Sequence, residues 1–489
     1  MRQGPPGVSR ALACGALAAV VFVVSAAAPS PSEAARGLKT GLWEVRHQSS
    51  NEEERADWFD RTADAGAGFI RLNVPWGGVA PTEPSDARDP ADPAYGFAAL
   101  DAAVKDAGAR RLDVLFLTFR APSWAEGKNR PENADAGTWK PNPSAFGDFG
   151  TALATRYSGQ YPDPNGPGLL PRVKYFEAWN EPNLPQYITP QFKGKKSKAP
   201  AHYRKLLNAF YDAVHDVKAS NQVVGPGTSP FGDDPGGNRH KPLRFMREVF
   251  CLTGQKSPKA KNNCKTKDLP KLDIVSHHPI AAWGGGPQNK AFTNDDITTA
   301  DLERVVKVMR TAEKAGNVLP KQGKKSKRRK LWVTEFFYFS NPPLMGVPFT
   351  EKLAKHARFI EESLFVFWKD GASAALYYGL GDTVSSFSNP DPFSSGLYFD
   401  DGTPKPALTA FRFPFVTERD SAKKIMVWGK APVTGKLKVQ KKRSSGWKTI
   451  KRINVKKGKV FYKKAPLKGK AKLRGLLEGE TSRTWTQKA

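Results

Sequence analysis

The sequence predicts an α/β protein, a (β/α)8 TIM barrel followed by a small all-β domain. Two observations carry this prediction. Eight short β-like runs alternate with amphipathic stretches between residues 41 and 415, and the last 69 residues combine short apolar runs with a large excess of Lys and Arg. Eight β/α units over roughly 375 residues suit a barrel with long loops. A doubly wound open sheet is the rival fold, but no glycine-rich turn follows the first run to support a dinucleotide site.

The composition limits the class of protein. Of the 489 residues, 39% are hydrophobic and 11% are aromatic, which excludes a wholly disordered chain. Three cysteines are too few for a cysteine-rich scaffold or for a four-thiolate zinc site. Cys251 and Cys264 are thirteen positions apart, and no His or Cys lies beside them at the spacing of a metal site. If the protein is exported, we expect these two cysteines to form a disulfide.

Residues 1–34 have the layout of a secretory signal peptide. Arg2 and Arg10 precede an apolar stretch at 11–28, and small residues follow at 32–34. We expect cleavage after residue 34, with residue 28 as the alternative site and a retained signal anchor as the alternative outcome. No later stretch reaches the roughly 18 uninterrupted apolar residues that a membrane span needs. The mature protein is therefore expected to be secreted and to have no membrane span.

The barrel is predicted to occupy residues 38–418. Its eight candidate strands cover 42–47, 68–74, 112–119, 174–180, 222–225, 272–277, 331–335 and 374–378. Between them, apolar residues in 203–220 recur at intervals of three and four, as on one face of a helix. A second such stripe follows Thr298 and Thr299, which are suited to cap a helix N-terminus.

Residues 421–489 are predicted to form a separate basic domain resembling a β-sandwich. This segment holds 22 Lys and Arg residues against only Glu478 and Glu480, so about 20 of the 30 net charges lie in it. The change in charge places a domain boundary near Arg419, and the apolar runs have the 8–12 residue spacing of a small sandwich or barrel. Such a domain could attach to an anionic cell-wall polymer or acidic polysaccharide, or its basic face could be solvated without a specific partner. A nucleic acid partner fits the charge but not the predicted export, so none is expected.

Two acidic residues stand at the carboxyl ends of predicted strands, where barrel enzymes keep their reactive groups. Glu181 follows the fourth run, and Glu335 ends the seventh. Pro182 disfavours helical geometry at the residue before it, so we expect Glu181 to lie at a strand-to-loop transition. Carboxylates on nearly opposed strands can face each other across the barrel mouth. At about 5 Å apart they would suit a retaining glycosidase, in which one protonates the leaving oxygen and the other attacks the anomeric carbon.

The sequence Trp-Asn-Glu-Pro-Asn at 179–183, together with Glu335 ending strand seven, resembles the clan-A glycoside hydrolases, most closely families 5 and 39. The resemblance extends over most of residues 40–415, with supporting matches at 68–71, 121–125 and 273–279.

The resemblance implies a (β/α)8 enzyme that needs no cofactor and no metal, and it implies roles for four residues. Glu181 would be the acid/base and Glu335 the nucleophile. Asn180 would bind the sugar hydroxyl next to the reacting carbon, and Arg71 would lie under the nucleophile. Arg71 could instead form a structural ion pair with Glu177, which has the parity of Glu181 but lies deeper in the barrel.

Several further residues are candidates for substrate binding. One of His277 and His278 is expected to line the cleft and orient the nucleophile, as His or Tyr does in relatives, although either could be a core histidine. The candidates for stacking on sugar rings, or for plain packing, are Trp124, Trp283 and Tyr378. Many clan members carry Trp after strand eight, where this chain has Tyr-Tyr-Gly at 377–379.

The function expected from the sequence is a secreted retaining glycoside hydrolase that cleaves β-type O-glycosidic bonds in a poly- or oligosaccharide by double displacement. A noncatalytic carbohydrate-binding or cell-surface adhesion protein on the same barrel is the alternative. Transglycosylation would use the same residues and would differ only in whether a sugar outcompetes water in the second half of the reaction.

Overall fold

Eight parallel strands close into a barrel in the computed structural model, which describes residues 34–261, 264–281, 285–344, 349–383 and 393–489. In chain order the strands are β1 (Lys39–Trp43), β2 (Phe69–Pro75), β3 (Asp113–Phe119), β4 (Tyr175–Ala178), β5 (Gln222–Thr228), β6 (Ile274–His277), β7 (Lys330–Phe336) and β8 (Ala372–Tyr378). Each strand pairs with the next one along the chain, and β8 pairs with β1. The predicted (β/α)8 barrel is confirmed, whereas the predicted signal peptide falls almost wholly outside the described residues.

Each predicted strand overlaps an observed one, and the largest differences are at the ends. Strand β1 begins three residues before the predicted start, because polar Lys39 and Thr40 belong to the ladder with β8. Strand β5 continues through Pro226 and Gly227 to Thr228, three residues beyond the predicted end at 225. The register between β5 and β6 shifts at this point, and such an irregularity accommodates residues that a regular central strand excludes.

Helices connect the strands and cover the barrel. They are α1 (Glu52–Asp64), α2 (Trp76–Val79), α3 (Ala98–Ala109), α4 (Pro143–Arg156), α5 (Ala199–Val217), α6 (Pro242–Val249), α7 (Leu302–Lys314), α8 (Leu353–Lys369) and α9 (Pro406–Arg412). Helix α4 begins as its sequence dictates, with the Asn142 side chain accepting from two backbone amides and Pro143 in the first turn. The predicted stripe of α5 is buried from Tyr203 to Val214, and Thr298 forms a capping box with Asp301 before α7.

Short ladders and single turns lie in the loops. The ladder strands are Phe192–Lys193, Lys196–Ser197, Leu252–Thr253, Lys259–Ala260, Lys321–Gln322, Lys325–Ser326, Phe339–Asn341 and Thr350–Lys352. The 3-10 turns are Val45–Gln48, Ser123–Ala125, Thr266–Asp268 and Thr299–Asp301. Cys251 and Cys264 form the predicted disulfide across one of these loops, with their Cα atoms 6.1 Å apart.

The inside of the barrel is layered. An apolar layer fills its lower part and consists of Phe69, Leu115, Val224, Ile274, Trp332, Ala374 and Leu376. Side chains along a strand alternate between the barrel interior and the surrounding helices, so the next interior positions lie two residues further on. On strands β2, β4 and β8 those positions carry Arg71, Glu177 and Tyr378. A polar layer therefore lies directly above the apolar one, at the carboxyl ends of the strands.

The C-terminal segment folds into two antiparallel sheets, as predicted for an all-β domain. One sheet contains β9 (Phe415–Ser421), β10 (Lys424–Lys430) and β13 (Val460–Pro466), and the other contains β11 (Gly435–Arg443), β12 (Gly446–Val455), β14 (Ala471–Leu477), β15 (Glu480–Thr481) and β16 (Trp485–Gln487). Strand β9 already pairs with β10, so the all-β region begins near Phe415 and not at the predicted boundary near Arg419. The excess of basic residues begins further along the chain than the all-β region does, because the first residues of β9 are uncharged and buried.

Apolar contacts join the two regions. Trp428 of β10 is buried and lies 5.4 Å from the ring of Phe365 and 6.0 Å from the ring of Trp368, both on α8. The described residues include no helix that is both long and apolar enough to cross a membrane.

Candidate active site

Glu181 and Glu335 meet at the carboxyl end of the barrel around one histidine. Nδ1 of His278 lies 3.0 Å from Oε1 of Glu181 and 3.9 Å from Oε2 of Glu335. These two carboxylate oxygens are therefore at most about 7 Å apart. This limit is compatible with the roughly 5–5.5 Å between the carboxyl groups of retaining glycosidases, and it reaches only the lower edge of the range for inverting glycosidases. The two side chains are 13% and 14% exposed, so both border the barrel mouth.

The backbone around Glu181 is strained in a way that fixes its position. Trp179 and Glu181 both have positive φ values, 73° and 36°, which non-glycine residues seldom adopt. The Trp179 indole is fully buried and donates to the carbonyl of Tyr187 at 2.9 Å. The Glu181 amide donates to the carbonyl of Gly227 at 3.1 Å. Strain of this kind persists only where the surroundings hold it, and it is concentrated at functional sites.

Gly227 provides room for this arrangement. Its φ is 54°, and a Cβ atom at this position would come within 2.9 Å of Oε1 of Glu177. Its amide donates to the Ser276 hydroxyl at 2.8 Å, so the irregular end of β5 remains bonded to β6. A side chain here would displace the buried carboxylate.

Glu335 is oriented by a bulge and by Arg71. The pairing of β7 with β8 shifts register between Val333 and Phe336. A bulge redirects side chains, and here both Thr334 and Glu335 contact interior residues. Arg71 donates to Oε2 of Glu335 at 2.8 Å and to the backbone carbonyl of Thr334 at 3.0 Å. Among the described residues Arg71 pairs with Glu335 and forms no ion pair with Glu177, which was the alternative left open by the sequence.

A chain of buried hydrogen bonds runs from Glu181 to Glu177. The Thr334 hydroxyl donates to Oε1 of Glu177 at 2.8 Å, so its oxygen accepts the Nε2 proton of His278 at 3.1 Å. Burial lowers the pKa of His278, so the ring is neutral and its Nδ1 can only accept. The proton in the His278–Glu181 contact must then come from the carboxyl of Glu181.

The electrostatics of Glu181 agree with this assignment. Burial raises the pKa of its carboxyl from 4.5 to about 7, against an opposing effect of the Arg71 charge. Arg71 lies instead in direct contact with Glu335. One carboxyl thus holds a proton near neutral pH while the other accepts from a guanidinium, and this difference suits an acid and a nucleophile.

His277 lies outside this network. It is fully buried, with Nδ1 2.9 Å from the Thr228 hydroxyl and Nε2 3.4 Å from the carbonyl of Ile297. Burial lowers its pKa to about 3, so it is a neutral core histidine. Of the two neighbouring histidines, only His278 contacts a carboxylate of the site.

Aromatic rings line one side of the two glutamates. Tyr378 stacks on Trp43 with ring centroids 4.0 Å apart, and the Arg71 guanidinium lies 5.5 Å from the Tyr378 ring. Trp43 was not predicted as a site residue, because the first strand was placed at 42–47 and its end was expected beyond residue 43. The observed β1 ends at Trp43, so the rule that site residues follow strand ends does identify it once the register is known.

Trp124, another of the predicted stacking residues, is not part of this cluster. Trp124 packs edge-on against Trp76 at 5.5 Å and donates to the carbonyl of Ala80, so it contributes to the core beside the site. Trp283 lies outside the described residues. Sugar stacking by either residue stays a prediction.

Asn180 and Tyr187 complete the described site. Asn180 is 7% exposed, and its side-chain oxygen has no hydrogen-bond partner among the described residues. Burial raises the pKa of the Tyr187 hydroxyl to about 12, assisted by the charges of Glu181 and Glu335 and opposed by the Asn180 side chain. No periodic or motif signal marks Tyr187, because it lies in an irregular loop. Within the described part of the chain, no three His, Cys, Asp or Glu side chains are grouped to hold a metal ion.

Comparison with solved structures identifies the architecture. A family 39 glycoside hydrolase from Bacteroides cellulosilyticus WH2 is similar with a TM-score of 0.54 and 17% identity, covering 88% of this chain and 81% of that one. A glucosidase from Croceicoccus marinus is similar with a TM-score of 0.50 and 14% identity, covering 89% and 95%. The chain has the fold of these two proteins. No protein-family model matches the sequence, and no curated protein sequence matches it.

Proposed function

We propose that the protein is a retaining glycoside hydrolase that cleaves β-type O-glycosidic bonds in a poly- or oligosaccharide. The observation that carries this proposal is the approach of both carboxyls to His278, with Arg71 donating to Glu335. The shared fold supports the reaction class but not the sugar. The sequence resemblance implies that Glu181 is the acid/base and Glu335 the nucleophile, and the different hydrogen bonds of the two carboxyls agree with these roles.

In the first half of the reaction, a carboxylate oxygen of Glu335 attacks the anomeric carbon. The bond from that carbon to the leaving oxygen breaks, and the carboxyl of Glu181 gives its proton to the leaving oxygen. Arg71 holds the attacking carboxylate in place through its 2.8 Å hydrogen bond. The product is a covalent glycosyl ester on Glu335 and a free alcohol.

In the second half, the Glu181 carboxylate takes a proton from water, and the water oxygen attacks the anomeric carbon. The ester bond breaks and Glu335 leaves as a carboxylate, so both side chains return to their starting states. Asn180 and Tyr187 lie beside both glutamates, and we assign them to the sugar hydroxyls. The stacked pair of Tyr378 and Trp43 supplies an apolar surface for the sugar ring.

A panel of aryl β-glycosides and polysaccharides tests this function. The wild-type protein should release product from at least one substrate. Glu335→Gln should abolish hydrolysis, and Glu181→Gln should slow it by about 10²–10⁴-fold on substrates with poor leaving groups, both without unfolding the protein. Glu303→Gln, which changes an exposed acid on α7, is the matched control and should keep full activity. Glycan binding without turnover on any substrate would instead support the carbohydrate-binding or adhesion alternative.

We further propose that the protein is secreted and that residues 421–489 attach it to an anionic cell-wall polymer. One outer face of the β12–β11–β14 sheet supports this assignment. Its cations are Lys436, Lys438, Lys442, Arg452, Lys472 and Arg474, and none forms an ion pair with a described carboxylate. On the same face Trp447 lies between two of them, 4.3 Å from the Arg474 guanidinium and 5.5 Å from the Lys442 ammonium. A face whose charges are all positive attracts a polyanion, and dissolved salt screens this attraction.

A further inference from the structure

A cleft separates the N-terminal end of the barrel from the C-terminal domain. Its volume is about 740 Å³, and its walls come from β1, the turns before β2 and β3, the end of β10 and the β12–β13 turn. This end of the barrel is opposite to the end that carries Glu181 and Glu335. Neither the proposed reaction nor the basic face of the β12–β11–β14 sheet uses the cleft.

Lys430, the last residue of β10, is the unusual feature of this cleft. Its residue exposure is 6%, and its ammonium donates to the Thr40 hydroxyl at 2.7 Å and to the carbonyl of Gly66 at 3.1 Å. Among the described residues no carboxylate pairs with it. An ammonium has three protons, so one donor remains beyond these two neutral acceptors.

Most other buried cations among the described residues have a counter-charge. Lys405, for example, is fully buried and lies 2.6 Å from the carboxylate of Asp382. Burying a charge without a partner costs several kcal/mol, which is why buried charges are usually paired. Lys430 has no such counter-charge. Arg329, which is also buried without an ion pair, instead donates from all three guanidinium nitrogens to backbone carbonyls.

The other charged residues of the cleft are also cations. Arg111, Lys457 and Lys459 line it, are exposed, and form no ion pair with a described carboxylate. No Asp or Glu is among the described lining residues. Lys39 and Arg110 also line the cleft, but Lys39 pairs with Asp113, and Arg110 pairs with Asp60 and Asp106. The cleft therefore combines one buried and several exposed positive charges without a negative charge of its own.

We propose that this cleft binds a compact oxyanion of the phosphate or sulfate type, held by Lys430. The anion accepts the remaining ammonium proton and compensates the buried charge, while Arg111, Lys457 and Lys459 supply charge-assisted hydrogen bonds at the rim. Both the barrel and the C-terminal domain contribute lining residues, so a bound anion links the two regions. The group can be a free anion or a phosphate carried by a polymer.

Thermal unfolding of the full-length mature protein in inorganic phosphate tests the site. Phosphate is raised to 20 mM at pH 7 while sodium chloride is lowered to keep the ionic strength constant. For millimolar affinity we expect a saturable rise in Tm of about 2 °C. Lys430→Met should remove the rise, whereas Lys314→Met, which changes an exposed lysine of α7 outside the cleft, should retain it. An unsaturated rise shared by both variants would be the general effect of an excluded salt and would overturn the proposal.

A second variant keeps the test decisive if Lys430→Met does not fold. Arg111→Gln combined with Lys459→Gln changes only exposed side chains, and it should weaken the phosphate affinity several-fold in calorimetric titration. An unchanged affinity in this variant would contradict the site. Titration with a soluble poly(glycerol phosphate) then separates the two sources. If the site takes a phosphate carried by a polymer, the affinity for this polymer falls in Lys430→Met. If the site takes only a free anion, the affinity for the polymer is the same in Lys430→Met and in the wild type.

Discussion

Side chains alternate between the two faces of each strand in both the barrel and the C-terminal domain, but the polar side chains face inward in the barrel and outward in the C-terminal domain. In the barrel, alternation places polar residues inside, above an apolar layer, and there buried Arg71 pairs with Glu335. A second buried pair, Lys405 with Asp382, lies in the segments that follow the last barrel strand. In the C-terminal domain alternation places apolar residues between two sheets and cations on an outer face. Buried charge is costly unless paired, whereas exposed charge costs little. Paired, buried charges suit a reaction site, and unpaired, exposed charges suit attachment.

The largest expected difference concerns the two carboxyls of the barrel. Glu181→Gln should slow hydrolysis of glycosides with poor leaving groups by about 10²–10⁴-fold, because proton donation is lost. It should slow formation of the glycosyl ester much less with a dinitrophenyl leaving group, which needs no proton. Glu335→Gln should lose activity on both substrates. Pre-steady-state release of the phenol measures this step, and equal losses in the two variants on both substrates would contradict the assigned roles.

Breaking the second buried pair should have the next largest effect. Lys405→Met leaves the Asp382 carboxylate buried without its partner, so the free energy of unfolding should fall by about 3–5 kcal/mol. The double variant Lys405→Met/Asp382→Leu should recover much of this loss, since it removes both charges. Urea unfolding checks both values, and a loss below about 1 kcal/mol in the single variant would mean that the pair does not set local stability.

A smaller effect is expected on the pH dependence of the reaction. Because the pKa of Glu181 is raised to about 7, its acid form is present below that pH, and kcat/KM should fall tenfold per pH unit above it. In Thr334→Val, His278 no longer has an acceptor at Nε2 and can donate from Nδ1 to an ionised Glu181. The alkaline limb should then move to lower pH by roughly one unit.

Thr334→Ser keeps a hydroxyl at this position, so the alkaline limb of its kcat/KM profile should lie at the same pH as in the wild type. A lowered rate with an unchanged limb in Thr334→Val would show that this residue supports only the structure. The bond from Arg71 to the backbone carbonyl of residue 334 is the same in both variants, so it does not account for a difference between them.

The smallest effect on stability is expected in the C-terminal domain. Changing Lys438, Arg452 and Lys472 to Gln should alter the free energy of unfolding by less than about 0.5 kcal/mol each. The same variant should lose salt-sensitive retention on anionic cell walls while keeping its activity on small glycosides. Sedimentation with purified walls at increasing salt measures retention. If retention did not depend on salt or on these residues, electrostatic attachment would be wrong.

The sequence predicted the fold because alternation and strand ends are local properties. Eight runs, two acids at strand ends and a basic β tail are each visible without knowing which strands pair. The chain from His278 through Thr334 to Glu177 could not be found in this way. It depends on two register shifts, which bring consecutive residues to one side of the sheet. Trp43 was missed for the related reason that a strand end was misplaced by four residues.

Tyr187 and Lys430 show a different limit. Tyr187 comes from an irregular loop, where no period relates sequence to position. Lys430 is one of many lysines in a basic segment, and only contact with the barrel distinguishes it from its solvated neighbours. In both cases the environment is made by distant segments, so the residue itself carries no signal.

The central claim is that Glu181 and Glu335 together carry out a double displacement. Proton NMR of the first sugar released from a β-glycoside tests this directly, before mutarotation mixes the anomers. Two displacements at one carbon restore its configuration, so the product should appear first as the β-anomer. An α-anomer as the first product would mean a single displacement by water and would contradict Glu335 as the nucleophile.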